Sequence, residues 1–209
     1  MSVDESGLGP VGTHAARSAA TRAALTAAAR RLFGDVGYNA TTLNDVVVAA
    51  SVTRGALYHH FEDKADLFEA VARQVYDELW ESTRSAVADI RNDHWRRLMT
   101  ALPIHLKVRA KNLEAQRILF IDGPAVLGWE RWRELQAKTV DGIALTLRAL
   151  MDEGKIAMGK PEPLAHLIVG ALNDAALAIA HAPQNKALLD DYVAAVRSLV
   201  GGLMLREAD

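Results

Sequence analysis

Apolar side chains recur three and four positions apart along this chain and rarely alternate with polar ones. That spacing lines them up along one side of a helix, not one face of a strand, so an all-α fold is expected. Half of the 209 residues are hydrophobic, enough to bury a substantial core in one large domain or two small ones. A first helix is expected over 19–36, with Leu25, Ala28, Ala29, Leu32, Phe33 and Val36 on one stripe and Gly37 as its stop. Short helices follow over 43–50 and 54–60, parted at Ser51-Val52, and Asp63 is placed to cap a longer one over 64–91. Beyond Asn92 the segments lengthen. One covers 94–110, which Pro103 should kink or split, and another 113–121. Asp122-Gly123-Pro124 reads as a turn before a segment over 126–153. Gly159, Pro161 and Pro163 mark a loop, followed by helices over 163–181 and 186–205.

The most specific chemistry lies between Thr42 and Lys64. Thr42-Leu43-Asn44-Asp45 fits a capping box, in which the threonine hydroxyl takes an early amide and Asp45 reaches back. Thr53 is placed to cap the helix over 54–60. A helix that short is marginal alone and must be braced by packing, for which Val46, Val52, Leu57 and Phe61 are available. A short braced helix with polar residues left outside is how proteins read the major groove of double-stranded DNA. That outer face holds Thr53, Arg54, Gly55, Tyr58 and His59, with Lys64 just beyond. Arg54 suits either a bidentate pair with guanine or a phosphate contact. Gly55 allows close backbone approach. Tyr58, His59 and the amides of the helix opening at Lys64 suit phosphate oxygens, and Thr42 sits where the second helix turns its positive end outward.

The run Thr41-Thr42-Leu43-Asn44-Asp45-Val46, then Ala50-Ser51-Val52-Thr53-Arg54-Gly55-Ala56-Leu57-Tyr58-His59-His60-Phe61, with Lys64 and Leu67, resembles the N-terminal domain of the TetR family of regulators. Ala29-Arg30-Arg31-Leu32-Phe33 and Gly37-Tyr38 match that family's first helix and turn, so the likeness covers about Ala19 to Val71. Ser51 departs from it, standing where the family usually has glycine. The resemblance implies a helix-turn-helix DNA-binding domain over 17–63 and a larger helical ligand-binding and dimerisation domain over 64–209. Residues 1–16 read as a disordered tail. It also implies phosphate contacts by Tyr58 and Lys64, and a homodimeric repressor released from DNA by a small molecule. His60 either joins the contacts or packs against its own domain. Arg17 and Arg22 either reach the DNA backbone or are solvated.

For the remainder the resemblance gives architecture only. Leu189, Tyr192, Val193, Val196, Leu199, Val200 and Leu203 form one stripe on the last helix. Leu164, Leu167, Ile168, Ala171, Leu172 and Ala175 form another on the helix before it. With Gly170, Gly201 and Gly202 allowing close approach, two helices from each subunit would make a four-helix interface, unless those stripes serve the internal core. Twofold pairing would set two reading helices one turn of DNA apart and call for a palindromic operator. An apolar or aromatic effector would need a cavity with few polar anchors. Its candidate lining is Trp95, Met99, Leu102, His105, Phe120, Trp129, Trp132, His166 and Asn173, with core packing as the alternative for each tryptophan and histidine.

Other classes find little support. There is no cysteine, so disulfides, thiolate metal sites and cysteine nucleophiles are excluded. His94, His105 and His166 with Glu114, Asp122 or Asp174 lack metal-ligand spacing, and there is no phosphate loop or nucleophile elbow, so neither an enzyme nor a cofactor or metal site is expected. No uninterrupted apolar run reaches the roughly 18 residues of a membrane span. The first residues lack the layout of a signal peptide, and a cytoplasmic protein is expected. The net charge of −2 neither favours nor opposes DNA binding. A DNA-binding protein with no sensor remains the alternative to a ligand-responsive one.

Overall fold

A computed structural model describes residues 11–182, 184–185 and 187–205. It is helical throughout, with a single antiparallel bridge between Ile156 and Met204. The helices are α1 (Val11–Val36), α2 (Leu43–Ala50), α3 (Arg54–His60), α4 (Lys64–Ala86) and α5 (His94–Lys111). Then come α6 (Leu113–Ala115), a π-helix π1 (Gln116–Asp122), α7 (Gly123–Leu135), α8 (Ala137–Asp152), α9 (Pro161–His181) and α10 (Leu188–Gly201).

Several boundaries differ from the sequence reading, each for a local reason. α1 begins at Val11, so the stretch expected as tail is helical from Val11 to Ala16; the rest of that tail lies outside the described residues. α4 ends at Ala86, not near Arg91, because Val87 leaves helical geometry and its amide bonds back to Arg84 and Ser85. α5 runs unsplit through Pro103, which is buried on its inner side. Asp122-Gly123-Pro124 is no turn: π1 passes directly into α7, with Pro124 in the first turn where its missing N–H costs nothing. The segment expected over 126–153 is broken at Gly128, whose φ of 72° is left-handed, and again at Gln136.

Two apolar clusters make the core. The first joins Leu25, Phe33, Val46, Leu57 and Phe61 of the N-terminal helices to Leu67, Phe68, Val71 and Val75 of α4, and continues to Ile118 and Phe120 of π1. Packing therefore does not divide at residue 64. The second gathers Leu102 and Leu106 of α5, Leu147 and Leu150 of α8, and inward faces of α9 and α10.

The stripes offered for dimer pairing belong largely to this second cluster. Val196, Val200, Ile168, Leu172 and Ala175 are buried, and Leu164, Leu189, Tyr192, Val193 and Leu203 pack against them. Leu167 and Leu199 stand outside, 71 % and 60 % exposed, as does the half-buried Ala171. They share the opposite faces of α9 and α10 with Gly170, Ser198 and Gly202, all exposed or half-buried small residues. α9 is long and apolar enough to cross a membrane by composition, with mean hydropathy 1.5, but it carries Asn173 and Asp174 and packs its inner face into the bundle.

Candidate functional site

The reading head is built from its caps. Thr42 Oγ1 accepts the Asp45 amide at 3.2 Å while the Asp45 carboxylate accepts the Thr42 amide at 2.9 Å, closing the capping box. The same carboxylate takes the Thr42 hydroxyl at 2.7 Å, and these bonds from Thr42 hold Asp45 below the usual carboxylate range. The Thr42 hydroxyl proton is thus occupied within the protein. Thr53 caps α3 by accepting the Ala56 amide at 3.2 Å, and Asp63 caps α4 by accepting the Asp66 amide at 2.8 Å.

Leu57 of α3, Phe61 just after it and Val46 of α2 are buried with Leu25 and Phe33 of α1, which fixes the third helix at one angle to the first two. Ser51, the residue after α2, has φ 54° and ψ 41°, the left-handed region. A serine there costs roughly 1–2 kcal/mol relative to glycine, which explains why glycine is the ordinary choice for this joint.

The structure leaves Thr53, Arg54, Gly55, Tyr58 and His59 on the solvent side of α3. Tyr58 is 48 % exposed, and Arg54 leans over its ring at 5.8 Å with Nη2 3.4 Å from the phenol oxygen. A Cβ built on Gly55 would meet nothing nearer than Thr53 Oγ1 at 4.0 Å, so the protein itself leaves this position open. Lys64 is more committed than the sequence suggested. Its ammonium donates to the carbonyls of Tyr38 and Thr41 at 2.9 and 3.0 Å and sits 4.0 Å over the Tyr38 ring. Two of its three N–H groups therefore clamp the α1–α2 turn to α4. Arg22 donates to the His60 carbonyl at 3.0 Å and covers the Phe61 ring at 4.4 Å, while Arg17 is exposed.

Polar straps join the head to the rest. Arg30 of α1 pairs with Glu114 at 2.8 Å and with Glu78 of α4 at 2.6 Å, and these two partners push the guanidinium pKa further up. Asp122 of π1 accepts the Tyr38 amide at 2.9 Å, and Arg117 donates to the Asp35 carbonyl at 3.2 Å. The left-handed Gly37, φ 88°, lets the chain pass under these two side chains.

A half-open cavity of about 500 Å³ lies between the far end of α4 and helices α5, α8 and α9. Leu98, Leu102, Ile143 and Leu172 form its deep wall, small residues Ala101, Gly142 and Ala149 leave the space, and Arg84, Leu145, Arg148 and Asp152 lie toward solvent. Of the expected lining only Leu102 and His105 are here. Trp95 and Met99 pack against the second core cluster, and Phe120 is buried in the first. Trp129, Trp132, His166 and Asn173 meet at a separate cleft of about 90 Å³. There Trp132 donates its indole N–H to the Leu119 carbonyl at 3.1 Å and Asn173 bonds Gln136, so both are tied into the fold.

The tryptophan that does line the large cavity is Trp80, the one outside the cluster that sequence spacing singled out. With Thr83 and Arg84 it forms a helical stripe on the last turns of α4, at the edge of the first core, and that stripe is the signal that would have found it. Among the described residues, no group of acidic or histidine side chains could hold a metal.

Comparison with known proteins agrees with this architecture. Residues 25–71 match the model for bacterial regulatory proteins of the tetR family, and residues 95–203 match that for a tetracyclin repressor-like C-terminal domain. A solved TetR-family transcriptional regulator from Pectobacterium atrosepticum is 37 % identical, covers 91 % of this chain and 97 % of its own, and superposes with a TM-score of 0.78. An HTH-type transcriptional repressor of Mycobacterium tuberculosis is 35 % identical over 59 % of this chain and 64 % of its own length. One from Brucella suis is 46 % identical over 27 % of each. The chain thus spans less than two thirds of the length of these curated relatives. The repressor of a Stenotrophomonas maltophilia efflux pump shares the fold, TM-score 0.71, at 19 % identity over 91 % of this chain and 93 % of its own. The chain belongs to the TetR family of bacterial transcriptional regulators.

Proposed function

We propose that this protein is a repressor that binds a palindromic operator as a homodimer and lets go when a small, largely apolar molecule enters the α4–α5–α8–α9 cavity. The observation that carries the reading is α4 itself. Its first residue, Lys64, clamps the reading head, and its last turns, at Trp80, Thr83 and Arg84, form a wall of the cavity. A 23-residue helix is about 35 Å long, so a small tilt at the cavity displaces the head by several times as much.

In the proposed complex α3 enters the major groove. Arg54 reads a base edge or a phosphate, Gly55 lets the helix approach closely, and Tyr58, His59, Thr53 and the remaining N–H of Lys64 take phosphate oxygens. Thr42, whose amide and hydroxyl both donate to Asp45, serves by placing the positive N-terminal end of α2 toward the DNA backbone. Ligand binding favours a head spacing that no longer fits both half-sites, so affinity falls through differential binding to two states.

The dimer forms through the outer faces of α9 and α10, centred on Leu167 and Leu199, whose small neighbours Gly170, Ser198 and Gly202 permit close helix approach. Replacing Leu199 with arginine should give a folded monomer by sedimentation. Its affinity for an operator should fall by about 100-fold, because one half-site no longer holds the other at high effective concentration. A Leu199→Arg protein that stays dimeric and binds as before would refute this interface.

A further inference from the structure

Among the described residues, one guanidinium is buried with no carboxylate beside it to balance its charge. Arg109 of α5 is 1 % exposed, its Nε and Nη1 have no hydrogen-bond partner, and no aspartate or glutamate side chain is buried among the described residues. The faces of Tyr76 and Phe120, 5.4 and 5.5 Å from the guanidinium carbon, soften the charge without cancelling it. Burial alone opposes the charged form of Arg109, yet a guanidinium stays protonated in proteins.

One turn earlier on the same helix, His105 lines the deep end of the cavity, 5 % exposed and with Nε2 unpartnered. Burial, and then the charge of Arg109, hold this imidazole neutral by pushing its pKa well down. Thr139, beside it on the wall, accepts the Tyr76 hydroxyl at 2.8 Å, so the ring under Arg109 is tied to the cavity lining. The outer lining repeats the sign: Arg84, Arg97 and Arg148 against the single carboxylate of Asp152. Arg84 and Arg148 are paired with Glu81 and Glu162, whereas Arg97 enters no ion pair among the described residues.

We propose that the effector is an amphipathic monocarboxylate, an apolar body ending in one carboxylate that accepts a hydrogen bond from His105 Nε2 and balances the charge of Arg109 behind it. This rests on the reading of the cavity as the effector site. One buried positive charge matches one negative charge, and the deep wall of Leu98, Leu102, Ile143 and Leu172 takes the hydrocarbon. Arg109 does not itself line the cavity, so the carboxylate meets its charge across His105; a neutral ligand could accept from His105 Nε2 but would leave that charge unbalanced.

The test is calorimetric titration of the full chain with decanoate, 1-decanol and decylammonium, below their micelle concentrations and at one pH and salt. Decanoate should bind at least about tenfold tighter than 1-decanol, with decylammonium weakest. Ala101→Trp, which fills the cavity, should abolish binding of all three, and Arg109→Met should bring decanoate down to the level of 1-decanol. The comparison of three ligands on the unaltered protein stands even if Arg109→Met folds poorly. Equal or tighter binding of 1-decanol would overturn the carboxylate and leave the cavity as effector site, as would tight decanoate binding that Arg109→Met leaves intact. Binding that survives Ala101→Trp would place the ligand elsewhere and overturn both, and no binding of any of the three would do the same.

Discussion

Gly55→Leu is expected to reduce affinity for operator DNA by about 100-fold or more, a loss of some 2.7 kcal/mol, while the protein becomes slightly more stable. The two effects have opposite signs because the protein and the DNA see this position differently. Within the protein a Cβ at Gly55 meets only Thr53 Oγ1 at 4.0 Å, and the helical backbone there suits any residue. Removing a glycine from a helix gains roughly 0.5–1 kcal/mol. In the proposed complex the same surface lies against the DNA backbone, and a leucine side chain holds α3 out of the groove. Thermal unfolding followed by circular dichroism and DNA binding followed by fluorescence anisotropy separate the two. A variant that binds as well as the parent would mean that α3 does not approach DNA along this face.

Arg109→Met should stabilise the free protein by about 2 kcal/mol, raising Tm by roughly 4–8 °C for a chain of this size. The guanidinium is fully buried, and no carboxylate lies within the core among the described residues. An uncompensated buried ion carries a desolvation cost of several kcal/mol, against which two aromatic faces return about 1–2 kcal/mol each at best. Methionine has similar length, no charge and enough flexibility to fill the space between Tyr76 and Phe120. A gain in stability combined with lost carboxylate binding is the signature of a residue kept for its ligand. A loss of several kcal/mol would instead make Arg109 a structural tie between α4, α5 and π1.

How much the sequence revealed depends on whether a feature is local. The caps at Thr42, Thr53 and Asp63 are set by side chains bonding amides three residues on, and the structure contains all three. The burial of Val46, Leu57 and Phe61 follows from helical spacing over one or two turns and was equally legible. Ser51 could be marked as irregular because it stands where the resembled family usually has glycine, and its φ of 54° gives the reason for that glycine.

Features that depend on distant partners were not readable. The stripes on α9 and α10 are apolar whichever neighbour they meet, and only the packing assigns Leu172 and Val200 inward and Leu167 and Leu199 outward. Three tryptophans between 95 and 132 suggested one aromatic cavity, yet Trp80, beyond them in sequence, lines it, because α4 brings its far end against α5 and α8. Lys64 looked like a free cation, since nothing local predicts that the Tyr38 and Thr41 carbonyls converge on it. Arg109 was silent for the same reason: a basic residue near a helix C-terminus is ordinarily solvated, and burial became visible only with Tyr76 and Phe120 around it.

In the proposed dimer two copies of α3, held at a fixed separation, read DNA. Selection of bound sequences from a random pool of duplexes puts this to the test, at a stated salt concentration because phosphate contacts dominate affinity. The expected result is an enriched palindrome whose half-site centres lie about one helical turn, or a whole multiple of it, apart. Enrichment should vanish for Tyr58→Ala and Gly55→Leu proteins that remain folded. No enrichment by the unaltered protein, or a single asymmetric site bound by a monomer, would contradict it.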